Sequence, residues 1–154
     1  MAHPFLGRRV QTTEEKVRLI EEAIGPSSIE IEVNCLVDGD GVVCAILTIP
    51  GFWSGLTVPC TAIHADLRNV APHLECLGLR PPFCLLSGHN HTDGITAPSD
   101  QDRQVFGVMT QDEAVPLDDM IIVATPNPKR PDQGLQKAFS FGEEVAKIRA
   151  SVGY

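Results

Sequence analysis

Two histidines and an aspartate form the group of residues in this sequence best suited to hold a metal ion. His89 and His91 are two residues apart, and Asp102 follows at the start of a predicted helix. Zinc takes about four ligands from His, Cys and carboxylate groups, and a catalytic site leaves one position to water. Two residues apart in an extended segment, both imidazoles lie on one side, and Asp102 can point to the same place. We therefore predict an open site for one zinc ion per chain, with ligands His89, His91 and Asp102.

Each half of this group also has an ordinary structural interpretation. Two nearby loop histidines occur often by chance, and Ser99-x-x-Asp102 is by itself a capping box at a helix start. What favours the metal site is that both halves occur in tandem, directly after an apolar strand. Polar residues surround the two histidines in the sequence, so we expect neither of them to be a core histidine.

Metal-assisted hydrolysis also needs a carboxylate that takes a proton from water and passes it to the leaving group. Glu30 and Glu32 are the candidates, because both lie on the polar face of the first predicted strand. A carboxylate inside a core sheet would otherwise be costly to bury. Their spacing alone does not choose between them.

The elements that must position these residues alternate between helices and strands. The predicted helices span residues 12–25, 61–77, 99–111 and 142–152. The predicted strands span residues 29–37, 42–49, 56–58, 83–87, 120–124 and 138–141. The segment 88–98, which carries the histidines, has loop composition. This order predicts an α/β protein, with an irregular arm at residues 1–11 and one mixed-sheet domain with flanking helices at residues 12–154.

Composition is that of an ordinary globular domain. The chain has 154 residues, of which 43% are apolar and 21% charged, and no apolar run is long enough to cross a bilayer. The five cysteines form no C-x-x-C pair, so we expect reduced core thiols and a cytoplasmic location. The net charge of -8 argues against nucleic acid as the main partner and suits a protein partner with basic patches. The oligomeric state is not indicated.

The pattern His89-x-His91-x7-Ser99-x2-Asp102 resembles the signature of the JAMM metallopeptidases, also called the JAB or MPN domain family. The motif has four fixed positions across fourteen residues and the strand-loop-helix context of that family. The order of elements extends the resemblance to roughly residues 12–142. Outside the motif the resemblance is coarse.

The wording of the motif is nearest to the RadC branch of this family. A His-Asn-His sequence is followed by Gly94 and Pro98, whereas deubiquitinases commonly read His-Ser-His-Pro. Two departures separate the chain from RadC. Thr92 stands where the family usually has proline, and residues 59–61 (Pro-Cys-Thr) replace the RadC-like Pro-Arg-Glu.

The resemblance implies a fold and a set of roles. The fold would be a single mixed-sheet MPN/JAB-like domain with the layering of cytidine deaminases. His89, His91 and Asp102 would bind zinc, and Ser99 would donate a hydrogen bond to the tetrahedral oxyanion. A glutamate early in the fold would be the general base.

Two alignments of the early strand select different glutamates. Matching the RadC-like strand that ends at residues 36–38 (Leu-Val-Asp) selects Glu30. Matching the deubiquitinase pattern Glu-x-x-Gly-x-Leu selects Glu32, with Cys35 where glycine is expected. Both glutamates remain candidates on this comparison.

The activity that the resemblance implies is that of a zinc-dependent, deubiquitinase-like isopeptidase or peptidase. It would cleave after the extended C-terminal tail of a ubiquitin-like protein, in deconjugation or precursor processing, for example in a bacterial ubiquitin-like conjugation or defence system. A RadC-like role in DNA repair or mobile-element biology is the first alternative, and the acidic balance weighs against it. A non-catalytic MPN scaffold is the second, and the complete set of ligands weighs against that.

Overall fold

The computed structural model describes residues 4–50, 69, 72, 73, 75, 76, 78–111, 115–126, 129, 132 and 134–153. The helices described in full are α1 (Thr13–Ile24), α2 (Asp100–Met109) and α3 (Phe141–Ser151). The strands of the described chain are β1 (Ile31–Val37), β2 (Val43–Pro50), β3 (Cys84–His91), β4 (Leu117–Ala124) and β5 (Phe139–Ser140).

The five described strands form one mixed sheet in the order β2-β1-β3-β4-β5. β1 runs antiparallel to both β2 and β3, β3 runs parallel to β4, and β5 returns antiparallel to β4. The mixed α/β class with flanking helices is therefore confirmed. Because β3 and β4 are parallel, their carboxyl ends lie at the same end of the sheet. This end carries the predicted metal ligands.

Both faces of the sheet are covered by helices, which gives the protein two apolar clusters. The α1 face is the side of the sheet that packs against α1. Its buried residues are Val10, Leu19, Ile20, Ile24, Val33, Cys35, Val37, Val43, Leu86, Ile121 and Val123. The α2 face is the opposite side, covered by α2 and the start of α3. Its buried residues are Leu36, Phe83, Leu85, Val105, Met109, Val115, Leu117, Met120, Ile122 and Phe141.

Helix α1 begins and ends where its capping residues predict. Thr12 accepts a hydrogen bond from the backbone N–H of Glu15, whose side chain accepts in return from the N–H of Thr12. Gly25 ends the helix with a positive φ of 64°, which glycine adopts without steric cost. Ile20 of this helix lies directly over Gly88 of β3, where a Cβ atom would come within 2.6 Å of it. The small residue lets the helix sit close to the strand that carries the histidines.

The first strand begins later than predicted and is buried on both sides. β1 starts at Ile31, and Ile29 is 48% exposed. The alternation of apolar and polar residues in the sequence therefore begins before the residues that pair with the neighbouring strands. The predicted polar face is real but not solvated, because Glu32 and Asn34 are 1% and 0% exposed. A carboxylate and an amide therefore lie within the sheet's interior.

The predicted loop over 88–98 was wrong for its first four residues. β3 continues to His91, because residues 88–91 pair with Ile121 to Ala124 of β4. β4 itself begins at Leu117, three residues before the predicted start at Met120. The polar character of the segment hid its pairing, since a ladder satisfies the backbone whatever the side chains are.

Several predicted elements fall partly or wholly outside the described residues. Of the helix predicted at 61–77, residues 69, 72, 73, 75 and 76 are described, and all are helical. The short strand predicted at 56–58 lies outside the described residues. Among the described cysteines, Cys35 is buried as expected, whereas Cys76 is exposed, and both are free thiols. None of the described helices has the length and apolarity needed to span a bilayer.

Candidate metal centre

His89, His91 and Asp102 converge at the carboxyl end of β3. The two histidines lie on the α2 face, and their Nε2 atoms are 3.3 Å apart. Asp102, in the first turn of α2, places Oδ1 3.2 Å from His89 Nε2 and Oδ2 3.3 Å from His91 Nε2. The ligand atoms of all three residues lie within 4.8 Å of one another, so the group could hold a metal ion.

The start of α2 is a capping box that aims Asp102 at the histidines. Ser99 Oγ accepts a hydrogen bond from the Asp102 backbone N–H at 3.1 Å, and Asp102 Oδ2 accepts from the Ser99 N–H at 2.9 Å. The structural interpretation of this pair is therefore confirmed, and the cap is compatible with the metal-binding interpretation. The cap fixes the rotamer of the carboxylate, and that rotamer faces the imidazoles. The Ser99 hydroxyl is an acceptor in this bond, so its own proton remains available to donate.

A backbone carbonyl selects the tautomer of His91. The Nδ1 atom of His91 is 3.0 Å from the carbonyl oxygen of Ile95. A carbonyl can only accept, so Nδ1 carries the proton and the neutral ring leaves a lone pair on Nε2. Metal-ligating histidines usually donate their other ring N–H to a carbonyl, carboxylate or water in the same way. In the neutral state of this ring, Nε2 is therefore ready to bind a cation.

The aspartate and His91 shift each other's pKa in the metal-free protein. Burial opposes the charged form of Asp102, but hydrogen bonds from His89, His91 and the Ser99 N–H outweigh it and hold its pKa far below the usual range. The hydrogen bond to Asp102 raises the pKa of His91, with partial burial opposing it. The carboxylate is therefore ionised throughout the neutral range, as a metal ligand must be.

The ligands lie at the edge of the core and not in a solvated loop. The His89 side chain is only 7% exposed, and those of His91 and Asp102 are each 16% exposed. The expectation that neither histidine is a core residue was thus wrong for His89. It is buried because β3 extends through it and α2 covers it.

The two candidate bases have different surroundings. Glu32 pairs with His89 across the β1–β3 ladder and accepts a hydrogen bond from Asn34 Nδ2 at 3.0 Å. Glu30 precedes β1 and is half-buried, and its charge contributes to raising the pKa of His91. Neither carboxylate belongs to the group of atoms within 4.8 Å of one another. Both are placed beside the group and not within it.

The sequence did not point to Asn90, which lies between the two histidines and is 0% exposed. Its side chain projects to the α1 face. There it accepts from the backbone N–H of Ile31 at 2.6 Å and donates to the carbonyl of Ile29 and to Thr125 Oγ1, both at 3.0 Å. The available signal was period-2 alternation, because an asparagine flanked by two ligands on one strand must face the opposite side.

Comparison with known proteins assigns neither a family nor a function to this chain. No known family model matches the chain, and no curated protein is significantly similar to it. The functional argument therefore depends on the residues and distances of the site.

Proposed function

We propose that this protein is a zinc metallohydrolase of the JAMM type, with an MPN/JAB-like fold. The observation that carries the proposal is the spacing of the imidazole nitrogens of His89 and His91 from each other and from the Asp102 carboxylate. A tetrahedron with zinc–ligand distances of 2.0–2.1 Å has edges of about 3.3–3.4 Å. The two Nε2 atoms are 3.3 Å apart, His89 Nε2 is 3.2 Å from Asp102 Oδ1, and His91 Nε2 is 3.3 Å from Asp102 Oδ2. The two imidazole nitrogens are at tetrahedral spacing, and each lies at a similar distance from one oxygen of the Asp102 carboxylate. Two nitrogens and a carboxylate that leave one position to water suit a catalytic zinc site.

The remaining residues of the motif take their roles from this arrangement. Zinc, when bound, would lower the pKa of a water molecule to roughly 7 and so supply a nucleophile at neutral pH. Glu30 takes the proton of the attacking water on its carboxylate and returns it to the leaving amine. The Ser99 hydroxyl donates a hydrogen bond to the oxyanion that forms on the substrate carbonyl.

Exposure favours Glu30 over Glu32 as the general base. The base must reach both the attacking water and the leaving group of a protein substrate. Glu30 is half-buried and close enough for its charge to act on His91, whereas Glu32 is 1% exposed and its carboxylate accepts a hydrogen bond from Asn34. We therefore assign the role of general base to Glu30 and treat Glu32 as a buried neighbour of the ligands.

The proposed substrate is the extended C-terminal tail of a ubiquitin-like protein. Among the described strands, β2 is at one edge of the sheet, and its last residue, Pro50, pairs with Ile31 next to Glu30. An extended tail could add to a strand edge through main-chain hydrogen bonds. The net charge of -8 suits a partner with a basic surface.

The activity is tested with a fluorogenic ubiquitin-like fusion cleaved in the presence of zinc. We expect wild-type cleavage that a chelator abolishes and stoichiometric zinc restores. Asp102→Asn should remove both zinc binding and cleavage. Asp100→Asn, an exposed change in the same helical turn, is the matched control and should retain both. No cleavage by the zinc-loaded wild type, or equal cleavage by Asp102→Asn, would contradict the proposal.

The assignment of the base is tested with a second matched pair. Glu30→Gln should lower kcat by about 10²–10⁴-fold, the usual contribution of a general base, with zinc still bound. Glu32→Gln removes a charge without removing the proposed base, so its kcat should fall less. The reverse order of the two losses would transfer the role to Glu32.

A further inference from the structure

The side chain of Asn90 forms hydrogen bonds with the backbone just beyond the end of the β1–β3 ladder. The last backbone pair of the ladder on this side is Glu32 with His89. One residue further, the Asn90 amide reaches across to the β1 side and binds the N–H of Ile31 and the carbonyl of Ile29. A side chain therefore continues the pairing that the backbone has stopped making.

These two backbone groups lie on either side of Glu30. Ile29 precedes it and Ile31 follows it, so one amide holds the chain at both of its neighbours. Continuing the β1–β3 register by two residues brings Glu30 opposite His91. Asn90 faces the α1 side and does not itself reach the ligands. Its effect is on the backbone position of Glu30.

The histidines are held independently of this amide. His89 pairs with Ile122 and His91 with Ala124 in the parallel ladder with β4. The N–H of Thr125 also donates to the His91 carbonyl at 3.0 Å. Removing the Asn90 side chain would therefore loosen the segment before β1 much more than the strand that carries the ligands.

We propose that Asn90 is a positioning residue that holds Glu30 beside the metal centre. The inference rests on the metal site of the proposed function. The three hydrogen bonds that the structure shows for the amide are themselves buried or part-buried, which makes its geometry well defined. The consequence is that Glu30 and Asn90 are energetically coupled although their side chains lie on different sides of the sheet.

The test is a double-mutant cycle on zinc affinity, measured by competition with a chromophoric chelator. In the wild-type background, Glu30→Gln removes a nearby negative charge and should weaken zinc binding by about three- to tenfold. In the Asn90→Ala background, the same change should alter the affinity by less than about twofold, because Glu30 is no longer held in place. Asn90→Thr, whose β-branched side chain suits a strand, repeats the cycle if Asn90→Ala does not fold.

Thr125→Val is the matched control. It removes only the bond from Asn90 to Thr125 Oγ1 and leaves both bonds that flank Glu30. In that background, the full effect of Glu30→Gln should persist.

The outcomes separate this inference from the proposed function. An equal effect of Glu30→Gln in the wild-type and Asn90 backgrounds overturns the positioning role, whether or not the protein cleaves a substrate. Coupling without any cleavage supports the positioning role and contradicts the hydrolase. Failure of the wild type to bind zinc overturns both.

Discussion

At the scale of single residues, protons and a metal ion would compete for the same atoms of the candidate metal centre. Asp102 and His91 stabilise each other's charged forms in the metal-free protein. The same Nε2 atom must lose its proton before it can bind a cation. A raised His91 pKa therefore means that protons compete with metal at a higher pH than at an ordinary histidine.

The first prediction concerns the pH dependence of zinc binding. The affinity should fall on acidification, beginning above the ordinary histidine pKa of 6.5 because that of His91 is raised. Isothermal titration from pH 8.5 to 5.5 would measure the fall and the protons released. An affinity that is constant down to pH 6 would contradict His91 as a ligand.

The metal-free protein should show a different pH dependence. A lowered Asp102 pKa contributes stability above its ordinary value of 3.8, and a raised His91 pKa contributes stability below 6.5 that is lost as pH rises through the raised value. Asp102→Asn should therefore reduce the free energy of unfolding most between pH 3.8 and pH 6.5, where both contributions are present. Urea unfolding of both metal-free proteins at pH 5 and pH 8.5 makes the comparison, and an equal loss at both would be inconsistent with the pair.

At the scale of the elements, the position of the histidines depends on how closely α1 packs on β3. Ile20 is 0% exposed, and a Cβ atom at residue 88 would lie 2.6–2.8 Å from three of its side-chain carbons. Ile20 is branched and enclosed, so it has little room to move aside. The glycine is thus required by the packing of the neighbouring helix and not by its own backbone, which is an ordinary strand without a positive φ.

Gly88→Ala should therefore destabilise the protein by about 1–3 kcal/mol through overpacking. Adding Ile20→Val should recover part of this loss, because it removes one of the clashing carbons. Gly107→Ala is the control, since this helical glycine in α2 has open space at its Cβ position. That change should stabilise the protein by about 0.5–1 kcal/mol. Urea unfolding measures all four proteins, and a neutral Gly88→Ala would show that α1 can shift.

At the scale of the whole molecule, the candidate metal centre and a buried polar cluster around Asp119 lie near opposite ends of the sheet. The candidate metal centre lies at the carboxyl end of β3. Near the opposite end, in β4, Asp119 is 1% exposed and joins three elements. It accepts from Ser140 Oγ at 2.8 Å and from the Gly142 N–H at 2.9 Å, and Lys16 Nζ of α1 lies 3.8 Å away. This cluster ties α1, β4 and the start of α3 together away from the site.

Asp119→Ala should therefore lower stability without changing the metal centre. The loss should be about 1–3 kcal/mol, because Ser140 Oγ and the Gly142 N–H lose their buried acceptor, whereas Lys16 keeps its ion pair with Asp118. Asp118→Asn is the control, since Asp118 is also bonded to Lys16 but is 45% exposed, and it should cost less than about 1 kcal/mol. Zinc affinity of the folded fraction should be unchanged in both. A weaker affinity in Asp119→Ala would show that the two ends are coupled.

Local patterns were sufficient to predict much of this fold. The caps at Thr12 and Ser99 and the stop at Gly25 are interactions within a few residues, so the sequence contains both partners. Several element ends that depend on pairing were misplaced, although the predicted ends at Val37 and Ala124 were confirmed. The start of β4 and the extension of β3 to His91 are decided by backbone bonds between distant segments, which side-chain type does not encode.

The candidate ligand set His89, His91 and Asp102 was predicted from the sequence alone, and the structure brings these three residues together. Their mutual distances, the burial of His89 and the bond from His91 to the Ile95 carbonyl were decided only by the tertiary structure. The same is true of Asn90, whose bonds to Ile29 and Ile31 span about sixty residues of chain. Periodicity can assign a side chain to a face, but its partners across the sheet depend on the register, and the register is a property of the folded chain.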